Sequence, residues 1–214
     1  MSISKQIEII ENILSIRNQD NLTEEQRQIK SSFSHLADDE LEKDLEFYQQ
    51  LSLGWIYLDN FKVDYDELKN LYENCDWIPI YQDTEDYQDS QSYAEVDTPK
   101  FVSNQIDLPI YMLSSFLRIH PNAVLRKHHH ETGRSCALIV PYKGEQKNIP
   151  LQFWQTPDLL LSEVIVDRPT LINTNVLHGI DQTSTVERTN YNLNFDFPFT
   201  FESISYILKK GYKF

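Results

Sequence analysis

Residues 188–197 read RTNYNLNFDF, and there Tyr191, Leu193, Phe195 and Phe197 alternate with Asn190, Asn192, Asn194 and Asp196. Successive side chains of a strand point to opposite faces. The segment is therefore predicted to be a β-strand with one apolar and one polar face, as antiparallel sheets carry. Working outward, a period of two recurs at 114–120, 135–142, 149–155, 161–166 and 170–175. Short strands separated by Pro, Asn, Asp and Gly predict an antiparallel sandwich or jelly roll rather than a parallel sheet.

The period lengthens toward the amino terminus. Ile3, Ile7, Ile10 and Leu14, widened by Ile9 and Ile13, form a helical stripe. Thr23 followed by Gln26 reads as a capping box that opens a second helix. A third runs over 38–51, with Leu41, Leu45, Phe47 and Tyr48 on its buried side, and 55–74 reads as strand, turn and helix. The predicted fold is mainly β with N-terminal α-helices: residues 1–52 a helical region packing on the core, residues 53–214 the core itself. The stretch 82–98 breaks the pattern with six carboxylates and no Lys or Arg. It reads as a solvated surface loop, or as a mobile flap beside a pocket for a cationic substrate.

Composition narrows the function. Of 214 residues, 19 are basic and 33 acidic, a net charge of −14, which repels phosphate backbones and disfavours a nucleic-acid partner. Five glycines form neither a P-loop nor a dinucleotide fingerprint. Cys75 and Cys136 read as packed thiols of a reducing compartment. No apolar run approaches the ~18 residues of a membrane span, and the first residues lack the features of a signal peptide. The expectation is a soluble cytoplasmic protein without a membrane partner.

The chemistry concentrates at His128, His129 and His130, followed by Glu131. In a period-two segment His129 and Glu131 share one face, and His128 and His130 the other. His129 with Glu131 supplies an imidazole nitrogen and a carboxylate oxygen, and His178 is the one histidine left downstream. Two His and a carboxylate with open positions make the facial triad of non-haem Fe(II) oxygenases. Arg188, ten residues beyond His178, has the planar fork suited to a carboxylate. Arg134 and Arg118 are secondary candidates, and Trp154 and Tyr142 are pocket aromatics or core. A zincin motif and a Gly-x-Ser-x-Gly elbow are absent. His128 and His130 form a His-x-His pair of the cupin type, but no Glu follows at cupin spacing.

The runs HPNAVLRKHHHETGRSCALIVPY (120–142) and PTLINTNVLHGIDQTSTVERTNYNLNFDF (169–197) resemble the core of the iron(II)/2-oxoglutarate-dependent dioxygenases, nearest the aspartyl/asparaginyl and prolyl hydroxylase-like branch. The pattern His-x-carboxylate, His, Arg stands here with gaps of 47 and 10 residues. The resemblance covers roughly 53–200 and implies a double-stranded β-helix (jelly-roll, cupin-like) core. It implies Fe(II) on His129, Glu131 and His178, and 2-oxoglutarate gripped by Arg188 with Asn190 and Arg134 nearby. It also implies use of O2 to hydroxylate an unactivated C–H of a small molecule or peptide side chain, with succinate and CO2 as co-products. Glu stands where the family usually has Asp, and the triple histidine leaves open whether His128 or His130 replaces His129. The rival readings are a non-catalytic jelly-roll binding protein and a metal-dependent cupin that does not use 2-oxoglutarate. If Arg188 points inward, Asn190 and Asn192 point inward with it. The aromatic face of that strand is then expected to lie under the amino-terminal helices.

Overall fold

The computed structural model of the chain, which describes residues 3–80, 91–106, 113–130, 135–144, 149–196, 198–200 and 203–204, places the RTNYNLNF strand at the centre of a seven-stranded antiparallel sheet. This strand, β11 (Arg188–Phe195), lies between β4 (Leu113–Ile119) and β6 (Cys136–Lys143). Beyond β6 come β9 (Thr170–Asn173) and β1 (Trp55–Tyr57). Beyond β4 come β3 (Gln91–Glu95) and β2 (Ile78–Pro79). A second antiparallel sheet has the order β5 (Leu125–His128), β10 (Leu177–Ile180), β7 (Leu151–Thr156), β8 (Leu159–Val164).

From β4 onward the chain passes back and forth between the sheets, with only β7 and β8 consecutive in one of them. This is the winding of a jelly roll. Ile119, Ala137, Ile139 and Ile172 of the large sheet share a core with Leu151, Phe153, Val164 and Ile180 of the small one. Among the described residues the sheets exchange no strand pairing, so the core is jelly-roll-like and not a closed barrel.

The opposite face of the large sheet is aromatic. Phe116 and Tyr191 face each other across β4 and β11 and are both fully buried. Tyr72 of α4 (Tyr65–Glu73) meets Phe116 edge-on at 5.5 Å between centroids, and Phe101 of α5 (Lys100–Gln105) lies 6.5 Å from Tyr191. Glu67 of α4 accepts the amides of Lys100 and Phe101, at 2.7 and 3.2 Å, and so fixes the start of α5 against α4. The cover seen on these rings belongs to the same part of the chain as the sheet, whereas the sequence pointed to the amino-terminal helices.

Residues up to Leu53 form a unit of their own. It holds α1 (Ile3–Arg17), α2 (Glu24–Ser32) and α3 (Asp38–Ser52). The capping box is present: Thr23 Oγ1 accepts the Gln26 amide at 3.2 Å and Gln26 Oε1 the Thr23 amide at 2.9 Å. Ile10, Ile13 and Ile16 are buried on α1, as are Leu41, Phe47, Tyr48 and Leu51 on α3. No helix among the described residues is long and apolar enough to cross a membrane.

One expectation needs correction. Within 82–98, Gln91–Glu95 is not loop but β3, paired with both β2 and β4. Its period of two (Ser92 and Ala94 on one face, Gln91, Tyr93 and Glu95 on the other) is masked by polarity, because the second face borders a cavity instead of a dry core. Of the flap expected over 82–98, residues 82–90 lie outside the described residues.

Candidate active site

Between the sheets lies a cavity of about 650 Å³, lined by β3, β4 and β11 on one side and by β5 and β10 on the other. Three histidines converge on it. His178 of β10 is opposite His128 of β5, and their ring centroids are 4.4 Å apart. His130 stands 5.2 Å from His128 and 5.9 Å from His178. Its backbone amide donates to Thr174 O at 2.9 Å. One nitrogen from each of the three rings lies within 4.8 Å of the other two.

Local backbone chemistry sets the ring orientations. His128 Nδ1 lies 2.8 Å from Arg126 O, and His178 Nδ1 lies 2.7 Å from Val176 O. A carbonyl only accepts, so each Nδ1 carries the proton and each Nε2 keeps a lone pair for the cavity. This is how proteins orient metal-binding histidines. Burial, followed by the neighbouring histidines, pushes His178 down to about 3, and burial also lowers His128. Both rings are therefore neutral near pH 7, as a ligand must be.

The register that opposes His128 to His178 depends on a bulge and a glycine. β10 advances two residues from His178 to Ile180 while β5 advances three from His128 to Leu125, the extra residue of a β-bulge. A Cβ on Gly179 would meet Leu125 O at 2.6 Å and the Arg126 carbonyl group at 3.0 Å. Only glycine lets the strands lie this close. Gly179→Ala is expected to destabilise the fold by about 1–3 kcal/mol, as overpacking does, and to weaken Co(II) binding by separating His128 from His178. Unchanged unfolding and unchanged Co(II) titration would show that the approach is not needed.

Of the expected metal ligands, His178 is in this group and 4% exposed, whereas His129 is exposed at the cavity's edge and outside the group. Glu131 and Arg134 lie outside the described residues. The structure brings His128 and His130 to His178, the same-face pair that the sequence reading left open.

Arg188 points inward. It is 3% exposed and lines a small chamber of about 50 Å³ with Asn190 and Asn192. Leu117, Leu125, Ile139, Leu151 and Asn192 line both the chamber and the main cavity, so the two are contiguous. Arg188 Nε and Nη2 are buried without a hydrogen-bond partner among the described residues, and burial pulls the pKa of this group below its usual value. A desolvated guanidinium with unused donors is a fit for a ligand carboxylate. Gly144 (φ +87°) lets the end of β6 pass the start of β11, since a Cβ there would meet Glu187 O at 2.1 Å.

The remaining candidates face away. Arg118 stacks 3.6 Å from the centroid of the Trp77 ring with its Nε 3.4 Å from Glu187, on the aromatic face. Tyr142 is 5.1 Å from Tyr72 on that same face, and Trp154 carries Lys127 Nζ 4.3 Å from its ring centroid. These are packing roles.

No protein-family profile matches the chain, and no curated protein matches it in sequence. Solved structures do match. A 2OG-Fe(II) oxygenase family oxidoreductase from Burkholderia pseudomallei superposes with a TM-score of 0.54 at 7% identity, over 72% of this chain and 89% of that one. HygX from Streptomyces hygroscopicus, solved with nickel, 2-oxoglutarate and hygromycin B, superposes with a TM-score of 0.50 at 11% identity, over 72% and 86%. At such identities the likeness is one of fold alone.

Proposed function

We propose that the chain is an Fe(II)- and 2-oxoglutarate-dependent oxygenase that hydroxylates an unactivated C–H bond of a small molecule or a peptide side chain. Substrate R–H, 2-oxoglutarate and O2 would become R–OH, succinate and CO2. The observation that carries this reading is the pairing of two features in one continuous space. Three imidazoles bring one nitrogen each to one place, and a buried guanidinium whose Nε and Nη2 have no hydrogen-bond partner among the described residues waits in the adjoining chamber.

Bound Fe(II) and 2-oxoglutarate supply the oxidative chemistry that side chains lack. The chain's own contribution is binding and exclusion of water. His128, His130 and His178 hold the metal, oriented by the Arg126 and Val176 carbonyls. Arg188 takes the distal carboxylate of 2-oxoglutarate, with Asn190 beside it, and the leucine and isoleucine wall between the two poles keeps the site dry. A second ligand set, His129, Glu131 and His178, shares the deeper histidine and is supported by the place of His129 on the cavity's edge.

The test is succinate formation from 2-oxoglutarate with and without Fe(II), together with incorporation of label from 18O2 into product. Three histidine ligands without a carboxylate also suit a metal-dependent cupin that does not use 2-oxoglutarate. O2 consumption without succinate would favour that reading, and a metal-loaded protein that neither consumes O2 nor forms succinate would favour a binding protein.

Burial of neutral histidines has a measurable consequence in the metal-free protein. His178 is held at about 3 when folded against 6.5 as its ordinary value. Between those values the unfolded chain binds the extra proton, so folding stability falls as pH falls through that window. Stability in chelator is expected to drop by about 2 kcal/mol from pH 7 to pH 5 on account of this one group. Urea unfolding at both pH values checks this, and His178→Leu is expected to shrink the drop. An equal drop in that variant would count against a buried neutral His178.

A further inference from the structure

The large sheet brings a second charged pole onto the cavity face. Arg188 is opposite Ile119, which is opposite Gln91; Asn192 is opposite Ser115, which is opposite Glu95. Arg188 and Glu95 thus share a face, two strands and four residues apart. Strand spacing and rise place them about 10 Å apart across the sheet and about 13 Å along it, roughly 16 Å in all. Tyr93 and Glu95 are on one side of β3 and both line the main cavity.

The lining of this cavity is one-sided in charge. Histidines aside, Glu95 is the formally charged side chain among the described residues that form it, and no described Lys or Arg lines it. In the same row, Asn192 Oδ1 is buried without a hydrogen-bond partner among the described residues, an acceptor in need of a donor. Tyr93, two residues along the same face of β3 and lining the same cavity, offers the π-face that ammonium and guanidinium groups prefer. The chain's net charge of −14 draws cations toward such a mouth and repels anions.

We propose that the substrate is a cation, carrying a protonated amine or a guanidinium that docks on Glu95 and Tyr93 while its reacting carbon reaches toward the histidine cluster. This rests on the oxygenase reading and adds the substrate's charge class to it. Arg188 takes the anionic cosubstrate at one end of the cavity and Glu95 the cationic substrate at the other, so neither ligand competes for the other's pole.

The experiment uses full-length protein loaded with Ni(II) and 2-oxoglutarate, which binds without turning over. Two matched triplets serve as probes: n-hexylamine, n-hexanol and hexanoate; and the N-acetyl methylamides of lysine, norleucine and 2-aminoadipate. Binding is read by ligand-observed NMR and calorimetry. In at least one triplet the cation should bind about tenfold or more tighter than its neutral and anionic partners. Glu95→Gln should remove about tenfold of that affinity, and Glu95→Lys should invert the preference, both with the unfolding temperature of the parent. Cation binding no tighter than neutral binding, no cation binding at all, or an unaltered preference in Glu95→Gln overturns the proposal. Failure of the parent protein to bind 2-oxoglutarate with Ni(II) would instead remove the oxygenase reading on which it stands.

Discussion

His178→Ala is expected to lower affinity for Co(II) or Fe(II) by at least about 100-fold, since it removes a ligand and not merely one of its supports. His178 is the most constrained member of the cluster. It sits in β10 between β5 and β7, is 4% exposed, and has its Nδ1 fixed on Val176 O at 2.7 Å. A ring so fixed loses little freedom on binding a metal, so its deletion takes away a pre-oriented donor. His128→Ala and His130→Ala are expected to cost a similar factor and His129→Ala only a few-fold, read from the visible absorbance of a Co(II) titration. An equal loss in His129→Ala and none in His128→Ala would reassign the ligands to His129, Glu131 and His178. Full Co(II) affinity in His178→Ala would remove the metal site altogether, because both ligand sets require it.

The sequence shows some of this site clearly and some not at all, for identifiable reasons. β11 was legible because its apolar face meets an aromatic layer and its polar face meets a cavity, so the alternation is complete. With it came the inward placement of Arg188. The histidine run was legible as a candidate metal site, with its register left open between His129 and the pair His128 and His130. Counting by two from the inward Leu125 leads through Lys127 to His129, and the bulge between β5 and β10 shifts the inward parity to His128 and His130. A bulge adds one residue and leaves no mark that period counting detects. β3 was read as loop because Gln91, Tyr93 and Glu95 line the cavity, and polarity hid a strand whose alternate residues Ser92 and Ala94 are buried. The cover over Tyr191 was missed for a different reason. α4 and α5 are nine and six residues long, too short to show a stripe as long as those of the amino-terminal helices.

Arg188→Met is expected to separate two quantities that move together in most proteins, stability and ligand affinity. In the ligand-free chain the Arg188 guanidinium is buried with Nε and Nη2 unpartnered among the described residues, and each such group costs about 1–3 kcal/mol of desolvation. Met fills a comparable volume without a charge, and replacing buried charge by apolar groups is often stabilising. The metal-loaded variant without 2-oxoglutarate should therefore unfold at a higher temperature than the parent, by about 1–3 kcal/mol of stability. With 2-oxoglutarate present the order should reverse. A ligand at 100 times its Kd stabilises the folded state by about 2.7 kcal/mol, and the variant should gain almost none of this. Loss of the carboxylate's charged partner should weaken 2-oxoglutarate binding by about 100-fold, since truncating a buried charge pair costs 2–5 kcal/mol. Ni(II) affinity should stay within a few-fold of the parent, because Arg188 lies in the chamber beyond the histidines. Calorimetric unfolding with and without 2-oxoglutarate checks both halves. A variant less stable than the parent when ligand-free would show that Arg188 has a structural partner, and a variant still stabilised by 2-oxoglutarate would show that the carboxylate binds elsewhere.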